Sequence, residues 1–86
     1  MKISFEDMSP SEKAKEKKLF AKALARRVKE VRTSMGLTQE GLAHKAGYYR
    51  TYIGHIETAK YSPSVHTAWR LAKAMDVDLG DLLKGL

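Results

Sequence analysis

Residues 37–57 read LTQEGLAHKAGYYRTYIGHIE, which is the pattern of two short helices joined by a tight turn. Thr38 is a capping residue at the start of the first helix. Gly47 stops that helix, because glycine adopts the left-handed backbone conformation at little cost. Neither helix is long enough to be stable alone, so each must be held by packing.

Two helices joined so closely pack at a steep angle only if certain positions cooperate. Ala43 supplies the small side chain that a close approach between the helices requires. Ile53 and Ile56 stand three residues apart and return apolar groups to the first helix, where Leu42 and Ala46 receive them. These matching offsets predict a compact helix pair whose second helix turns its polar side chains outwards.

The size and composition of the chain fit one small globular domain. It has 86 residues, 43% of them hydrophobic, which is enough for a single core. The absence of cysteine excludes disulfide frameworks and thiolate metal sites, and it fits a reducing cytoplasm. No apolar run approaches the roughly 18 residues that span a bilayer. Because residues 1–13 also lack a signal-peptide pattern, we expect a cytoplasmic protein with no membrane partner.

The net charge of +6 is unevenly distributed. Residues 1–36 hold ten Lys and Arg against five Asp and Glu, and residues 37–70 hold four against two. Residues 71–86 hold two against three, so the tail is slightly anionic. A polyanion would therefore meet the front of the molecule and not its C-terminus. The alternative is that the basic residues serve solubility alone.

The segment before this helix pair predicts a long helix. SPSE at residues 9–12 combines a capping serine, a proline suited to a first turn and a glutamate that completes a capping box. No Pro or Gly follows until Gly36, which ends the helix. The apolar face consists of Phe20, Leu24, Val28 and Val31. Residues 10–19 lack such a face, so we expect that part to fray or bend.

Two more helices are predicted after the pair. Ser64 caps a helix that runs to Met75, and Asp78 caps one that begins at Leu79. Strand signals are absent, so the fold class is all-α with five helices, the first of which carries an N-terminal extension. We divide the chain into an N-terminal arm or helical extension, residues 1–18, and a domain of residues 19–86.

These segments together resemble the Cro and phage-repressor family of helix-turn-helix proteins. The similarity rests on LTQEGLAHKAG, on the YI and IE of the next helix, and on PSV, W and LAKAMDVDLGDLL, and it runs from about Phe20 to Leu83. RTYIG at residues 50–54 is also similar to controller proteins of restriction–modification systems. The resemblance implies a λ-repressor-like fold in which the third helix, the recognition helix, enters the major groove of DNA.

Three features depart from the family pattern. Tyr49 stands where Ser, Thr or Asp usually caps the recognition helix, and loss of such a cap costs about 1 kcal/mol. Gly41 stands where an acidic residue is common. Thr58 and Ala59 replace a frequent glycine after the recognition helix. We therefore expect the recognition helix to begin irregularly.

The outward side of the recognition helix holds the candidate DNA-reading residues. With Ile53 and Ile56 facing inwards, a step of 100° per residue turns Arg50, Thr51 and His55 outwards, and the resemblance implies base contacts at these three positions. The Arg50 guanidinium can donate two hydrogen bonds to guanine O6 and N7, worth roughly 1–3 kcal/mol of discrimination. The alternative is a surface arginine without a role.

Gly54 and Gln39 suggest close approach to the DNA backbone. A glycine inside a helix costs about 1 kcal/mol of stability relative to alanine. On the outward face, Gly54 could let the helix backbone approach the groove wall. An unoptimised surface position explains the glycine equally well. Gln39 lies in the first turn of its helix, where free N–H groups favour phosphate. Further phosphate candidates are Thr38, Lys45, Tyr52, Lys60, Tyr61 and Ser62. Of these, Tyr52 could pack against the domain instead.

Glu57 places a carboxylate close to the expected DNA surface. In related repressors a glutamate at this position pairs with an arginine late in the first helix, and the resemblance makes Arg32 that arginine. We predict an Arg32–Glu57 ion pair that ties the recognition helix to the first helix.

The last helix carries more apolar residues than eight positions can bury. We predict that it forms a two-fold dimer contact. The residues assigned to this interface are Val77, Leu79, Leu82, Leu83 and Leu86, with Trp69 as a possible addition. The alternative is that all of them belong to the core.

The sequence thus predicts a DNA-binding transcriptional regulator of the repressor or controller type. As a homodimer it would read a pseudo-palindromic operator in double-stranded DNA. The alternative is an antitoxin-like protein-interaction module, in which residues 1–18 could serve as a partner arm. We expect no enzymatic activity, no cofactor and no metal site, since the three histidines lie eleven residues apart without cysteine.

Overall fold

The computed structural model describes residues 5–86, and within that range it contains helices and no strand. After a short 3-10 turn come α1 (Pro10–Ser34), α2 (Gln39–Ala46), α3 (Arg50–Glu57), α4 (Val65–Ala74) and α5 (Leu79–Leu82). The predicted all-α fold with five helices is confirmed. None of these helices is long and apolar enough to cross a membrane. Residues 1–4 of the predicted arm lie outside the described range.

The first helix, α1, is continuous over 25 residues, including the part that was expected to fray or bend. It begins with the predicted capping box: the Glu12 N–H donates to the Ser9 hydroxyl at 3.2 Å, and the Ser9 N–H donates to Glu12 Oε1 at 3.2 Å. The backbone hydrogen bond from Ser9, together with the one from its side chain, lowers the pKa of Glu12. Residues 11–20 are all exposed, so the N-terminal half of α1 projects from the domain.

The core lies where all five helices meet. Its largest fully buried side chains are Val28, Leu42, Ile53, Ile56, Leu71, Met75 and Leu82. The predicted apolar face of α1 is wrong at its first member: Phe20 is 44% exposed and Ala21 takes the inward place. Leu24 lies towards one edge of the stripe that α1 buries, so Phe20, a further 40° round the helix, falls outside it, whereas Ala21 lies near its centre.

The N-termini of α4 and α5 differ in how they are capped. The Ser64 hydroxyl accepts from the Thr67 N–H at 3.0 Å, as predicted for a capping serine. Asp78 occupies the N-cap position of α5, but its side chain makes no capping hydrogen bond. Instead, Arg27 Nη2 donates to the Asp81 carbonyl at 2.7 Å, which ties α5 to α1 across 54 residues of chain.

The chain leaves α3 through a non-glycine residue in the left-handed region. Ala59 has φ of 61°, at the point where the family pattern has a glycine. Residues with a Cβ atom adopt this conformation at a cost of roughly 1–2 kcal/mol.

Ala59→Gly is therefore expected to stabilise the fold. The gain is about 0.5–1 kcal/mol, because the greater freedom of glycine in the unfolded chain offsets part of the relieved strain. Urea unfolding measures it. Ala14→Gly, at an exposed position of α1 outside the core, is the control and should destabilise by a similar amount. A loss of stability in Ala59→Gly would mean that Ala59 makes contacts worth more than its strain.

Candidate nucleic-acid interface

The turn between α2 and α3 has the predicted left-handed glycine and an additional support from α4. Gly47 has φ of 79° and ψ of 33°, and its N–H donates to the Ala43 carbonyl. Arg70 donates from both Nε (3.2 Å) and Nη2 (2.7 Å) to the carbonyl of Ala46, the last residue of α2. A Cβ atom on Gly47 would lie 2.9 Å from Arg70 Nη2. Glycine is thus favoured here by its backbone angles, and a Cβ atom would in addition displace the end of the Arg70 side chain.

Tyr48 packs over the same turn. Its ring lies 5.0 Å from that of Tyr52 and beneath the Arg70 guanidinium, at 5.5 Å. Its hydroxyl donates to Thr67 Oγ1 at 3.3 Å. The turn is therefore held from α4 by a side-chain hydrogen bond, a cation–π contact and the two bonds to Ala46. Sequence analysis did not find Arg70, because nothing local to α4 shows which carbonyl its side chain reaches.

The first turn of α3 presents its side chains to solvent. Arg50 and Thr51 are exposed, while Ile53 and Ile56 retain 0% and 1% of their accessible surface. Tyr49 is 86% exposed and makes no side-chain capping hydrogen bond, as its departure from the family pattern led us to expect. α3 itself nevertheless begins regularly at Arg50. The free N–H groups of this turn and the Arg50 side chain therefore point out of the same end of the helix.

The side chains of His55 and Tyr52 are more buried than those of Arg50 and Thr51 in the first turn. The His55 ring is half-buried and meets the ring of Tyr61 edge-on at 5.1 Å. Tyr52 is half-buried and packs against the core, so the packing alternative describes its position in the free protein. The predicted base contact at His55 thus belongs to a side chain that already packs against Tyr61, whereas the Arg50 side chain is exposed.

Glu57 lies at the centre of a compact polar cluster. Arg32 Nε donates to Glu57 Oε2 at 2.6 Å and Arg32 Nη2 donates to Glu57 Oε1 at 2.9 Å. The two side chains are only 9% and 3% exposed. Arg32 Nη1 donates to the Leu37 carbonyl at 2.7 Å, and Gln39 Nε2 donates to Glu57 Oε1 at 3.2 Å. The ion pair expected from the sequence is thus present, and it joins α1, the start of α2 and the end of α3.

The hydrogen bonds of this cluster have an electrostatic consequence and a geometric one. The bond to Glu57 raises the pKa of Arg32 above its usual value, against a smaller opposing effect of burial. Gln39 is directed by its hydrogen bond towards Glu57, and its Oε1 would lie 3.9 Å from a Cβ atom built on Gly54. Gln39 therefore lies alongside α3, at the N-terminus of α2.

Most phosphate candidates belong to the segments before α2 and after α3. Thr38 is exposed at the start of α2, and its hydroxyl accepts from the Gly41 N–H at 2.9 Å. In the loop that follows α3, the exposed candidates are Lys60, Tyr61 and Ser62.

Lys45 does not join these groups. It lines a small pocket with Met35 and Asp76, whereas His44 lines an open cleft of about 450 Å³ together with Arg50. The sequence analysis missed His44 as a residue next to the first turn of α3. The helical step of 100° between positions 44 and 45 could have separated the two, once the direction of α2 relative to α3 was known.

The predicted dimer residues divide into three groups. Leu82 is 0% exposed and belongs to the core, so its assignment to an interface is wrong. Val77, Leu79 and Leu83 are partly buried against that core. Leu86 and Trp69 are each 45% exposed. Leu82, the last residue of α5, therefore turns inwards and closes the core against α1 and α4.

Known proteins match this chain over the helix-turn-helix and the helices around it. A helix-turn-helix family model matches residues 28–82. An uncharacterised HTH-type transcriptional regulator of Archaeoglobus fulgidus is 39% identical over 56 residues, which are 65% of this chain and 80% of that protein. Control protein C.SmaI of Serratia marcescens is 38% identical over 60 residues, 70% of this chain and 71% of that protein.

The fold also matches a solved structure of the same kind. The restriction–modification controller protein C.AhdI from Aeromonas hydrophila superposes with a TM-score of 0.70 at 34% identity, covering 72% of this chain and 90% of that one. The resemblance that the sequence predicted, including its restriction–modification aspect, is confirmed. The chain belongs to the helix-turn-helix family of DNA-binding transcriptional regulators.

Proposed function

We propose that this regulator acts in the cytoplasm as a homodimer and reads a pseudo-palindromic operator with the first turn of α3. The observation that carries the proposal is the exposure of Arg50 and Thr51 beside fully buried Ile53 and Ile56. A buried pair of isoleucines fixes the rotation of α3, so the two exposed side chains are presented in a defined direction. Arg50 is assigned to guanine O6 and N7, and Thr51 to a thymine methyl or a phosphate.

The surroundings of α3 support a clamp on the DNA backbone. The N-terminus of α2 offers free N–H groups next to Gln39 and Thr38, an arrangement that favours phosphate. The loop after α3 supplies further donors from its exposed Lys60, Tyr61 and Ser62, and Tyr61 lies against Tyr52 and His55 of α3. His55 would reach the groove further along the helix, held by Tyr61. Contacts of this kind set register and orientation, while base contacts set sequence preference.

A repressor or controller role is supported by the names of the relatives. One solved neighbour is a restriction–modification controller and one matched protein is a control protein. Two recognition helices held about 34 Å apart would read two half-sites related by a two-fold axis.

Selection of binding sites from random duplexes tests the proposal. We expect an enriched site with two-fold symmetry and half-sites about one helical turn apart. Binding that depends on salt but not on sequence would contradict it. That result would favour the alternative, a module whose main partner is another protein.

Gly54→Ala separates a structural role of this glycine from a functional one. The new methyl group would meet only Gln39 Oε1, at 3.9 Å, so we expect a gain of about 0.5–1 kcal/mol in unfolding free energy. If the backbone of α3 lies against the groove wall, the same methyl group weakens operator binding by about tenfold, which corresponds to 1.4 kcal/mol.

Gly80→Ala in α5 is the matched control, since a Cβ atom there has no neighbour within 4 Å. It should leave operator affinity unchanged. Thermal unfolding and fluorescence anisotropy measure the two quantities. Unchanged affinity in Gly54→Ala would show that the α3 backbone at this position stays clear of the DNA.

A further inference from the structure

The projecting half of α1 and the end of the chain enclose an open apolar groove. Its volume is about 570 Å³, and its apolar lining comes from Met8, Leu19, Phe20, Ala23 and Leu86. Of these, Leu19 is 67% exposed, Phe20 44% and Leu86 45%. Three large apolar side chains thus meet solvent in one place, on a different side of α1 from the face that enters the core.

The projecting helix lacks the packing that usually supports a helix. Residues 11–20 are exposed, and a helical segment of this length is marginal in water without a packed face. The groove side has a regular spacing, since Glu12, Glu16, Phe20 and Ala23 recur at intervals of four, four and three residues. This spacing places the four side chains on one side of α1, where Phe20 and Ala23 supply its apolar part.

We propose that the groove is the contact surface for a second copy of this chain. In this arrangement the two α1 helices cross antiparallel near Leu19, and Phe20 of each copy enters the groove of the other. A two-fold contact of this kind is self-complementary, because the same surface serves both copies. The inference deepens the proposed function in one respect, since it supplies the dimer that a two-fold operator requires.

The charges around the groove favour this occupant. Its rim contains two carboxylates, Glu12 and Glu16, and one ammonium group, Lys15. In an antiparallel copy that crosses near Leu19, Glu12 of one chain lies level with Arg26 of the other, and Arg26 borders the groove beside Ala23 and Leu86. The other lysines of this segment line no part of the groove: Lys13, Lys17, Lys18 and Lys22. The surface that would meet a second, cationic copy is thus the least cationic side of α1.

A dimer contact needs more surface than α5 offers by itself. A stable interface buries about 800 Å² on each partner. α5 has only four residues and turns Leu82 into the core, so its partly buried Val77, Leu79 and Leu83 offer a small contact by themselves. The groove continues that contact, because the Leu86 N–H donates to the Leu83 carbonyl at 3.2 Å and places Leu86 at its edge.

Sedimentation equilibrium of the full chain tests the proposal. The protein concentration runs from about 1 to 100 μM, which covers weak to moderate dimers. Wild type should be a dimer, and Phe20→Glu should raise the dissociation constant at least about 30-fold, because it places a charge in each groove. Val65→Glu is the matched control, since Val65 is 76% exposed on α4, and should leave dimerisation unchanged. Circular dichroism checks that both variants keep their helices.

Disulfide trapping tests the crossing point. The chain has no cysteine, so Leu19→Cys introduces a single thiol per copy. Mild oxidation should link two Leu19→Cys chains, whereas Val65→Cys should remain monomeric on a denaturing gel. A monomeric wild type, a Phe20→Glu dimer as tight as wild type, or an absence of linked Leu19→Cys chains would each overturn the proposal. The second outcome would assign the groove to another partner.

The DNA-binding proposal can fail separately. If wild type dimerises through the groove but selects no operator, the interface stands and the operator proposal falls. If Phe20→Glu keeps the base preference of a half-site and dimerises as wild type does, the operator proposal stands and the interface falls.

Discussion

Glu57→Ala is expected to lower the free energy of unfolding by about 3 kcal/mol. Removing one partner of a buried pair leaves the other charge without compensation, and such losses are typically about 3–5 kcal/mol. Here the remaining charge is the Arg32 guanidinium, whose side chain is 9% exposed and would keep only its hydrogen bond to the Leu37 carbonyl. Urea unfolding of the purified variant measures the effect.

The control for this prediction is a surface ion pair on the same helix. Arg27 and Glu30 approach to 3.5 Å with side chains 27% and 56% exposed, so Glu30→Ala should cost less than about 0.5 kcal/mol. The double variant Arg32→Met with Glu57→Leu should recover most of the loss, because no buried charge remains. A Glu57→Ala protein that unfolds like wild type would mean that the pair does not fasten α3 to α1.

Arg50→Ala is expected to abolish the preference at one base pair in each half-site. A bidentate arginine–guanine contact is worth roughly 1–3 kcal/mol of discrimination, and alanine keeps neither hydrogen bond. The fold should be unaffected, since Arg50 is exposed and makes no described contact with the core. Binding-site selection with wild type and variant, at one salt concentration, measures the change position by position.

Lys60→Ala is the matched comparison for Arg50→Ala. A lysine in the loop after α3 that contacts phosphate should weaken binding alike for all sequences and reduce the salt dependence, without altering base preference. The two variants therefore distinguish a residue that contacts a base from a residue that contacts phosphate. An unchanged preference profile in Arg50→Ala would place the reading contact elsewhere on α3, with His55 as the next position to test.

The two predictions are linked through the position of α3. Arg50 lies at one end of this eight-residue helix and Glu57 at the other. The ion pair fastens the C-terminal end to α1, while Arg70 and Tyr48 fasten the turn before the N-terminal end to α4. A helix held at both ends loses little conformational freedom when it enters a groove, so less of the interaction energy is spent on ordering it.

Features that act over three or four residues could be predicted from the sequence. Ser9, Thr38 and Ser64 cap their helices as expected, and Ile53 and Ile56 are buried. The reason is that capping and helical periodicity depend on neighbours within one turn, and these neighbours are adjacent in the chain. The Arg32–Glu57 pair spans 25 residues and was expected only through the family resemblance.

Other features depend on how the helices pack, and these only the tertiary structure decided. Leu82 belongs to the core and Phe20 does not, because burial depends on where each helix meets its neighbours and not on hydrophobicity alone. The bonds from Arg70 to Ala46 and from Arg27 to Asp81 join residues 24 and 54 positions apart, with no local signal for either partner. Helix identity and the outward face of α3 thus follow from short-range patterns, whereas the supports of the reading helix and the apolar groove arise from the angles at which the helices cross.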